Sequence, residues 1–466
     1  MTRDLKRLVV VGHGAAGLAA ALSAAEAAGR SIAITVLERA RREDAGGNTR
    51  WSPANMRMDQ TDSIAPAFEA DMLEACGGQG DSAYFRVLAE RAPEAVGWLQ
   101  RHGVAFASPP YYLSVGPRRI QPIGGGGAII ATLQEAAEAA GVTISYETVA
   151  ERLLTGPDGR LCGLEVRTTD GVETIDADAA VLASGGFQGN AAMMVRQFGA
   201  EGETLRMIAP GTGFNRGDGI RMAADLGAKL SGDWDGMHSE PVDPRSDKPA
   251  PVVLVYPYGI VVDRDGKRFC DEGAGLVHET WETLSRDIHF NRSGSVAYAI
   301  PDSRLFAIDG FERAIRSDVP PFRADTIEGL AALIGIPAEQ LKRTIDEFNA
   351  AATGDVARFD ATRRDGLAAA PGLSPPKSNW ARPLTQSPFL AYPLVGAIAY
   401  TFGGIATDAR ARVLAEAGPI GGLYAAGETT GHFYRTAPNA VAVLRALVFG
   451  RIAGQEAVGF LAAHDN

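Results

Sequence analysis

Two stretches of the 466-residue chain carry residue types at spacings that could do chemistry. The first is Gly12-His13-Gly14-Ala15-Ala16-Gly17, which follows the β-branched run RLVVVG (7–12) and opens the alanine-rich AAGLAAALSAAEAAGR (15–30). Glu38 stands about 20 residues further on, at the end of the next apolar run, IAITVLER (32–39). In a G-x-G-x-x-G placed between strand and helix each glycine has its own task. Gly12 permits the tight turn, Gly14 lets backbone approach a pyrophosphate, and Gly17 allows close helix–strand packing. The helix N-terminus presents N–H groups and partial positive charge to phosphates, and Glu38 can accept from both hydroxyls of a ribose. The second stretch is GHFYRTAPNAVAVLRALVFGRIAG (431–454), which sets His432, Tyr434 and Arg435 just ahead of an apolar, helix-like run. That cluster is either a polar surface loop or a site that holds an anion against a cofactor.

The elements that must position these residues follow from the same patterns. Strand 7–12, helix 15–30 ending at Gly29 and strand 32–39 form a complete βαβ unit. A polar, glycine-containing loop spans 44–58, helical stretches run to Gly103, and GGGGAIIATLQEAAEAAG opens another helix. ERLLTGPDGRLCGLEVRTTDGVETIDADAAVLASGG reads as a three-stranded meander, with turns at Pro157-Asp158-Gly159 and Asp170-Gly171, closing in an apolar strand. Proline clusters change the composition between about residues 232 and 377, where a helix is predicted over 338–351. The fold class is α/β: a Rossmann-like dinucleotide-binding domain over 1–233 and 378–466, with an inserted α+β capping domain over 234–377.

Composition sets limits on partners. With 45 basic and 56 acidic residues the net charge is -11, which disfavours a non-specific nucleic-acid or anionic-membrane surface. Cys76, Cys162 and Cys270 stand alone, without haem, zinc or iron–sulfur spacing, so no metal site is expected and a reducing, cytoplasmic location is. Nowhere do 18 apolar residues run consecutively, so no membrane span is expected.

The choice between FAD and NAD turns on two later segments. AAVLASGGF (179–187) and GGLYAAGETTG (421–431) are apolar strands breaking into glycine beside a small polar group, as expected if further strands of the sheet approach an extended cofactor. Together with the fingerprint they favour FAD. The set GHGAAG, GGNTRW, PIGGGGAIIATLQ, VLASGGF, GTGFNRGDGIRMAADLGA, GIVVDRDGKRFCDEG, LSPPKSNWARP, TFGGIATDARARVL and AAGETTG…FGRIAG resembles the fumarate reductase and succinate dehydrogenase flavoprotein superfamily over essentially the whole chain. Within it the chain is more similar to the FAD-dependent tricarballylate dehydrogenase-like branch.

That resemblance implies a cap closing over the flavin, and a dehydrogenase or reductase of vicinal CH–CH bonds in a small carboxylate. It implies FAD contacts from Gly12, Gly14, Ala15, Ala16, Gly17, Glu38 and Arg39, and from Gly46, Gly47, Asn48 and Thr49 in the following loop. Val149, Ala183, Ser184, Gly185 and Asp218 join them, with Gly427, Glu428, Asn439, Val441 and Ala442 near the C-terminus. It also places Arg435, in R-T-A-P-N-A, where relatives put an arginine that clamps a substrate carboxylate; a surface or salt-bridge arginine is the competing reading. His238, in GMHSEP, matches a histidine that holds a second carboxylate, and Tyr400 stands where fumarate reductases have a histidine.

Departures matter too. The relatives' proton-donor arginine is replaced by Leu276, and a threonine–glutamate pair by apolar residues of VVLVYPY, so efficient fumarate reduction is not expected. Tyr111, Tyr112, Tyr298, Tyr400 and Tyr434 would suit polarisation of a ketone, so an enone such as a 3-ketosteroid is the alternative substrate. An electron carrier with no small-molecule substrate is a third reading. FAD is expected to be non-covalent, because GGNTRWSPANMRM lacks the histidine to which some relatives link it. Without an internal acceptor motif, electrons are expected to pass to a separate partner, a membrane-associated one among the candidates.

Overall fold

The computed structural model describes residues 5–464 apart from 111, 114, 115 and 158; Tyr111 and the Asp158 turn position therefore lie outside the described residues. The βαβ unit is present as strand Lys6–Val11, helix Ala15–Ala28 and strand Ile32–Leu37. These two strands pair in parallel, and Lys6–Val11 pairs on its other side with Ala179–Leu182. The full sheet runs Arg412–Ala415, Gly418–Ala425, Ala179–Leu182, Lys6–Val11, Ile32–Leu37, Thr143–Ser145, parallel except for its first pair. Leu8, Val10, Val36, Val181 and Leu423 are fully buried in it, which is why these strands read as continuous apolar runs. The meander forms as an antiparallel sheet of Val149–Thr155, Leu161–Thr168 and Gly171–Asp176.

The alanine-rich first helix and the glycines of FGRIAG have one explanation. The last helix, Ala442–Ala463, crosses the first so closely that a Cβ at Gly450 would sit 2.4 Å from the Ala16 carbonyl oxygen, and one at Gly454 2.1 Å from that of Ala20. Small residues on both helices bring the backbones together, and the pairing sets both N-termini at the C-terminal ends of the parallel strands. By length and composition this last helix could cross a membrane, although twelve of its residues are buried inside the fold.

The second sheet is organised around one long strand, Phe389–Thr401. Its first half pairs with Phe322–Ala324 and Ala297–Ile300, its second half with Met237–Val242 and Arg206–Met207. This sheet draws strands from both sides of residues 234 and 378, so the backbone of the inserted region is continuous with the flanking segments. The helix over 338–351 forms as expected, and Val277–Asn291 packs over the same sheet.

Candidate active site

One cleft of about 1910 Å3, counting its open mouth, runs from the fingerprint to the cap sheet. At its dinucleotide end Gly12 has φ +112° and its hypothetical Cβ would lie 2.3 Å from the Ala183 carbonyl oxygen, so the turn admits only glycine. Gly14 differs: a Cβ there would meet nothing nearer than 4.0 Å, because the position faces the cleft. The buried Glu38 accepts from the backbone N–H groups of His13 (3.0 Å) and Ala40 (2.7 Å), and burial raises its pKa despite these bonds. Arg39 closes this end by pairing with Asp218 at 2.8 Å.

Nineteen of the twenty-one residues expected to touch the cofactor line the cleft, Gly17 and Gly46 being the exceptions. Gly17 packs instead, since its Cβ would fall 1.8 Å from the Gly12 carbonyl oxygen, and Gly46, at φ +116°, makes a left-handed turn against Arg50. The cleft fits a dinucleotide on its own terms. The first and last helices carry no side-chain cap at their N-termini, and His13 (Nδ1 and Nε2), Trp51 (Nε1) and Asn55 (Oδ1) are buried polar atoms in its wall with no protein partner. Burial, with Arg42 and Arg50, lowers the His13 pKa to about 4, so its neutral ring offers one donor and one acceptor.

Deeper in, the cap sheet supplies the polar groups. His238 pairs with Tyr400 across the sheet, and the next pair, Ser239 with Ile398, leaves Ala399 as a bulge. The bulge turns the Ala399 carbonyl out of the ladder, where it accepts from Asn48 (2.6 Å) and Gln188 (3.2 Å), tying the cap strand to the cofactor loop. The His238 and Tyr400 rings lie 4.8 Å apart. Nε2 of His238 is 3.2 Å from Glu240 and Nδ1 is 3.4 Å from Glu282. Burial alone would lower the His238 pKa; the two carboxylates more than reverse this and hold it up at about 10, so the ring is an imidazolium at neutral pH. Glu282 also accepts from the Ala437 N–H at 3.3 Å, which fixes the loop ahead of the last helix. Burial, then Glu282, raises the Tyr400 pKa well above that of an ordinary phenol, so it stays protonated.

Two arginines not singled out from the sequence face this end, Arg119 and Arg316. Arg119 is 9% exposed and its guanidinium lies 4.6 Å over the Tyr112 ring. Burial, then Glu240, raises the Tyr112 pKa, and Arg119 and Arg316 oppose the rise, so all three charges act on that phenol. Neither stands in a motif: they lie in VGPRRIQP and RAIRSDVPP.

Arg435, expected as the anion clamp, is placed outside the cleft. Arg435 is exposed, takes φ +58°, donates its N–H to Asp233 at 3.0 Å, and lays its methylenes beside Gly77, outside the cleft. Tyr434 also points away and its hydroxyl accepts from the Gly232 N–H at 3.1 Å. His432 is buried between Thr407 (2.8 Å) and the stacked Tyr84 ring (3.7 Å), and burial lowers its pKa to about 3. Tyr298 donates to the Ile334 carbonyl, away from the site. From 431–446 the cleft is instead lined by Ala437, residues 439–443, Arg445 and Ala446. Arg445 is 1% exposed, sits 3.8 Å over the Phe433 ring, and has no ion-pair partner among the described residues. No group of three or more His, Cys, Asp and Glu among these residues could hold a metal ion.

The FAD binding domain family matches residues 7–440. The chain belongs to that family. This flavoprotein is 29% identical over 476 residues to a probable fumarate reductase, Ifc3, of Shewanella frigidimarina, covering 97% of this chain and 75% of the relative. It is 32% identical over 375 residues to the 4-oxocyclohexanecarboxylate 2-dehydrogenase of Sinomonas cyclohexanicum, covering 73% of this chain and 62% of the relative. Its fold superposes on the open conformation of a flavocytochrome c3 fumarate reductase with a TM-score of 0.77 at 26% identity, covering 98% of this chain and 79% of the other. The cofactor of the cleft is FAD.

Proposed function

We propose that this FAD-dependent oxidoreductase of CH–CH or C=C bonds acts on a small carboxylate, desaturating it or, in reverse, reducing its double bond. The observation that carries the reading is the charge at the inner end of the cleft. Arg119, Arg316 and the imidazolium of His238, itself held between Glu240 and Glu282, gather positive charge at this end of the cleft. A carboxylate would balance it, and an arginine fork grips a carboxylate with two parallel bonds. FAD, when bound, accepts or donates the hydride at the carbon beta to that carboxylate. His238 and Tyr400, both carrying protons at neutral pH, stabilise negative charge that develops on the carbonyl side of the reacting bond. Residues 234–377 act as the cap, with Trp281 and Tyr112 helping to exclude water.

A second reading, a ketone in place of the carboxylate, is favoured by the protonated Tyr400 beside His238, since a phenol can polarise a neutral carbonyl. A relative named for an oxo-acid substrate is compatible with both groups acting on one molecule. The test measures kcat/KM for small mono- and dicarboxylates, their methyl esters and cyclic enones, using an artificial electron acceptor or donor. Preference for acids over esters, lost in Arg119→Met and Arg316→Met, supports the carboxylate reading. Equal turnover of acid and ester, unaffected by either variant, refutes it in favour of the ketone.

A further inference from the structure

A second cavity, of about 1560 Å3 counting its open mouth, is lined by residues 304–313 and 357–365 with Leu113 and Arg382. Its wall carries Arg304, Arg313, Arg358, Arg363, Arg364 and Arg382 against Asp309, Asp360 and Asp365, in a chain whose net charge is -11. Three of these arginines are held in ion pairs. Arg304 pairs with the buried Asp302 at 2.6 Å, Arg363 with Asp360 at 2.7 Å and Arg364 with Glu279 at 2.6 Å. Arg313, Arg358 and Arg382 have no ion-pair partner among the described residues. Arg313 donates to the Tyr112 carbonyl at 3.1 Å and Arg358 to the Asp365 carbonyl at 3.4 Å. The Arg382 guanidinium lies 3.4 Å over the Phe359 ring, and its Nε is buried without a hydrogen-bond partner. Burial and then Arg304 lower its pKa to about 10, which still leaves it charged at neutral pH.

Counting Asp302 and Glu279 with the three aspartates of the wall, five carboxylates leave the six arginines with one positive charge in excess, and the three guanidinium groups without an ion pair border one concavity that an anion would fill. Planar forks of this kind match the oxygens of phosphate as well as its charge. The cavity is roomier than a single phosphate requires, and Leu113, Ile308 and Phe359 give it an apolar side. We propose that this cleft binds a multivalent phosphate, either free or carried on an organic group, through Arg313, Arg358 and Arg382. The site shares a wall with the substrate cavity, because the Tyr112 ring lines one and its carbonyl holds Arg313 at the edge of the other.

The experiment is titration calorimetry of the FAD-loaded protein, in which the dinucleotide cleft is closed to competing nucleotides, with inorganic pyrophosphate and with ADP as probes. Saturable binding with Kd below about 1 mM is expected for at least one of them. It should weaken by about tenfold or more in Arg313→Gln/Arg358→Gln, at exposed positions, and in Arg382→Met, while Arg119→Met leaves it unchanged. Tighter binding of ADP would identify an organic phosphate as the ligand, and equal binding the free anion; both support the site. Absence of saturable binding by either probe, affinity that persists in the Gln pair and in Arg382→Met, or loss in Arg119→Met instead would overturn it.

Discussion

His238 is the side chain whose charge state matters most at the candidate site. Its pKa of about 10 lies above the value of about 6.5 for a free histidine, so folding favours its protonated form. The stability this contributes is fully present below about pH 6.5 and is lost as pH rises through about 10. His238→Gln should therefore lower Tm most at or below about pH 6.5, and the gap to wild type should close towards about pH 10 in a series of thermal melts. A gap that widens with pH would contradict the carboxylate cage as its cause. The arginines give a second contrast. Removing one partner of a desolvated charge pair costs about 2–5 kcal/mol, so Arg119→Met or Arg316→Met should lower kcat/KM for a carboxylate by about 30-fold or more. Arg435→Ala, at an exposed position outside the cleft, should stay within about threefold of wild type.

At the level of elements, the glycines of the fingerprint divide into those that shape the fold and one that faces the cofactor. Gly14 opens onto the cleft, so Gly14→Val should yield a folded but colourless protein with wild-type circular dichroism and no flavin absorbance. Gly17→Val should reduce soluble yield, because its side chain would meet the Gly12 carbonyl oxygen. A colourless Gly14→Val that is also unfolded would mean the position bears on packing after all. The close crossing of the first and last helices is equally testable. Gly450→Ala must push the helices apart, since a Cβ there would lie 2.4 Å from the Ala16 carbonyl oxygen. Overpacking of this kind costs about 1–3 kcal/mol and should appear as a lower denaturation midpoint. Because both N-termini border the cofactor, flavin affinity should weaken with it.

For the molecule as a whole, FAD is proposed to be held by contacts alone. Acid precipitation should release the yellow colour to the supernatant; colour that stays in the pellet would point to a covalent link. The proposed route for electrons is a separate redox partner, since the chain carries no haem or iron–sulfur spacing and no second nucleotide fingerprint. Turnover is expected with an artificial acceptor and to be slow with NAD(P) alone; rapid turnover with free NAD(P) at low KM would sink this.

The dinucleotide half was legible because its requirements are local. A positive φ at Gly12, an open position at Gly14 and an acceptor at Glu38 are set by spacings of a few residues between a strand and a helix, and the sequence displays them directly. His238 and Tyr400 were also legible, through short motifs on two strands, although their neighbourhood depended on the register between those strands. Which cations face the cleft was decided only in three dimensions. The left-handed turn at Arg435 sends its side chain to Gly77, whereas Arg119 and Arg316, far apart in the chain and outside any motif, converge on Tyr112. Side-chain direction depends on packing and on which distant segments meet, and neither is encoded in residue type at short range.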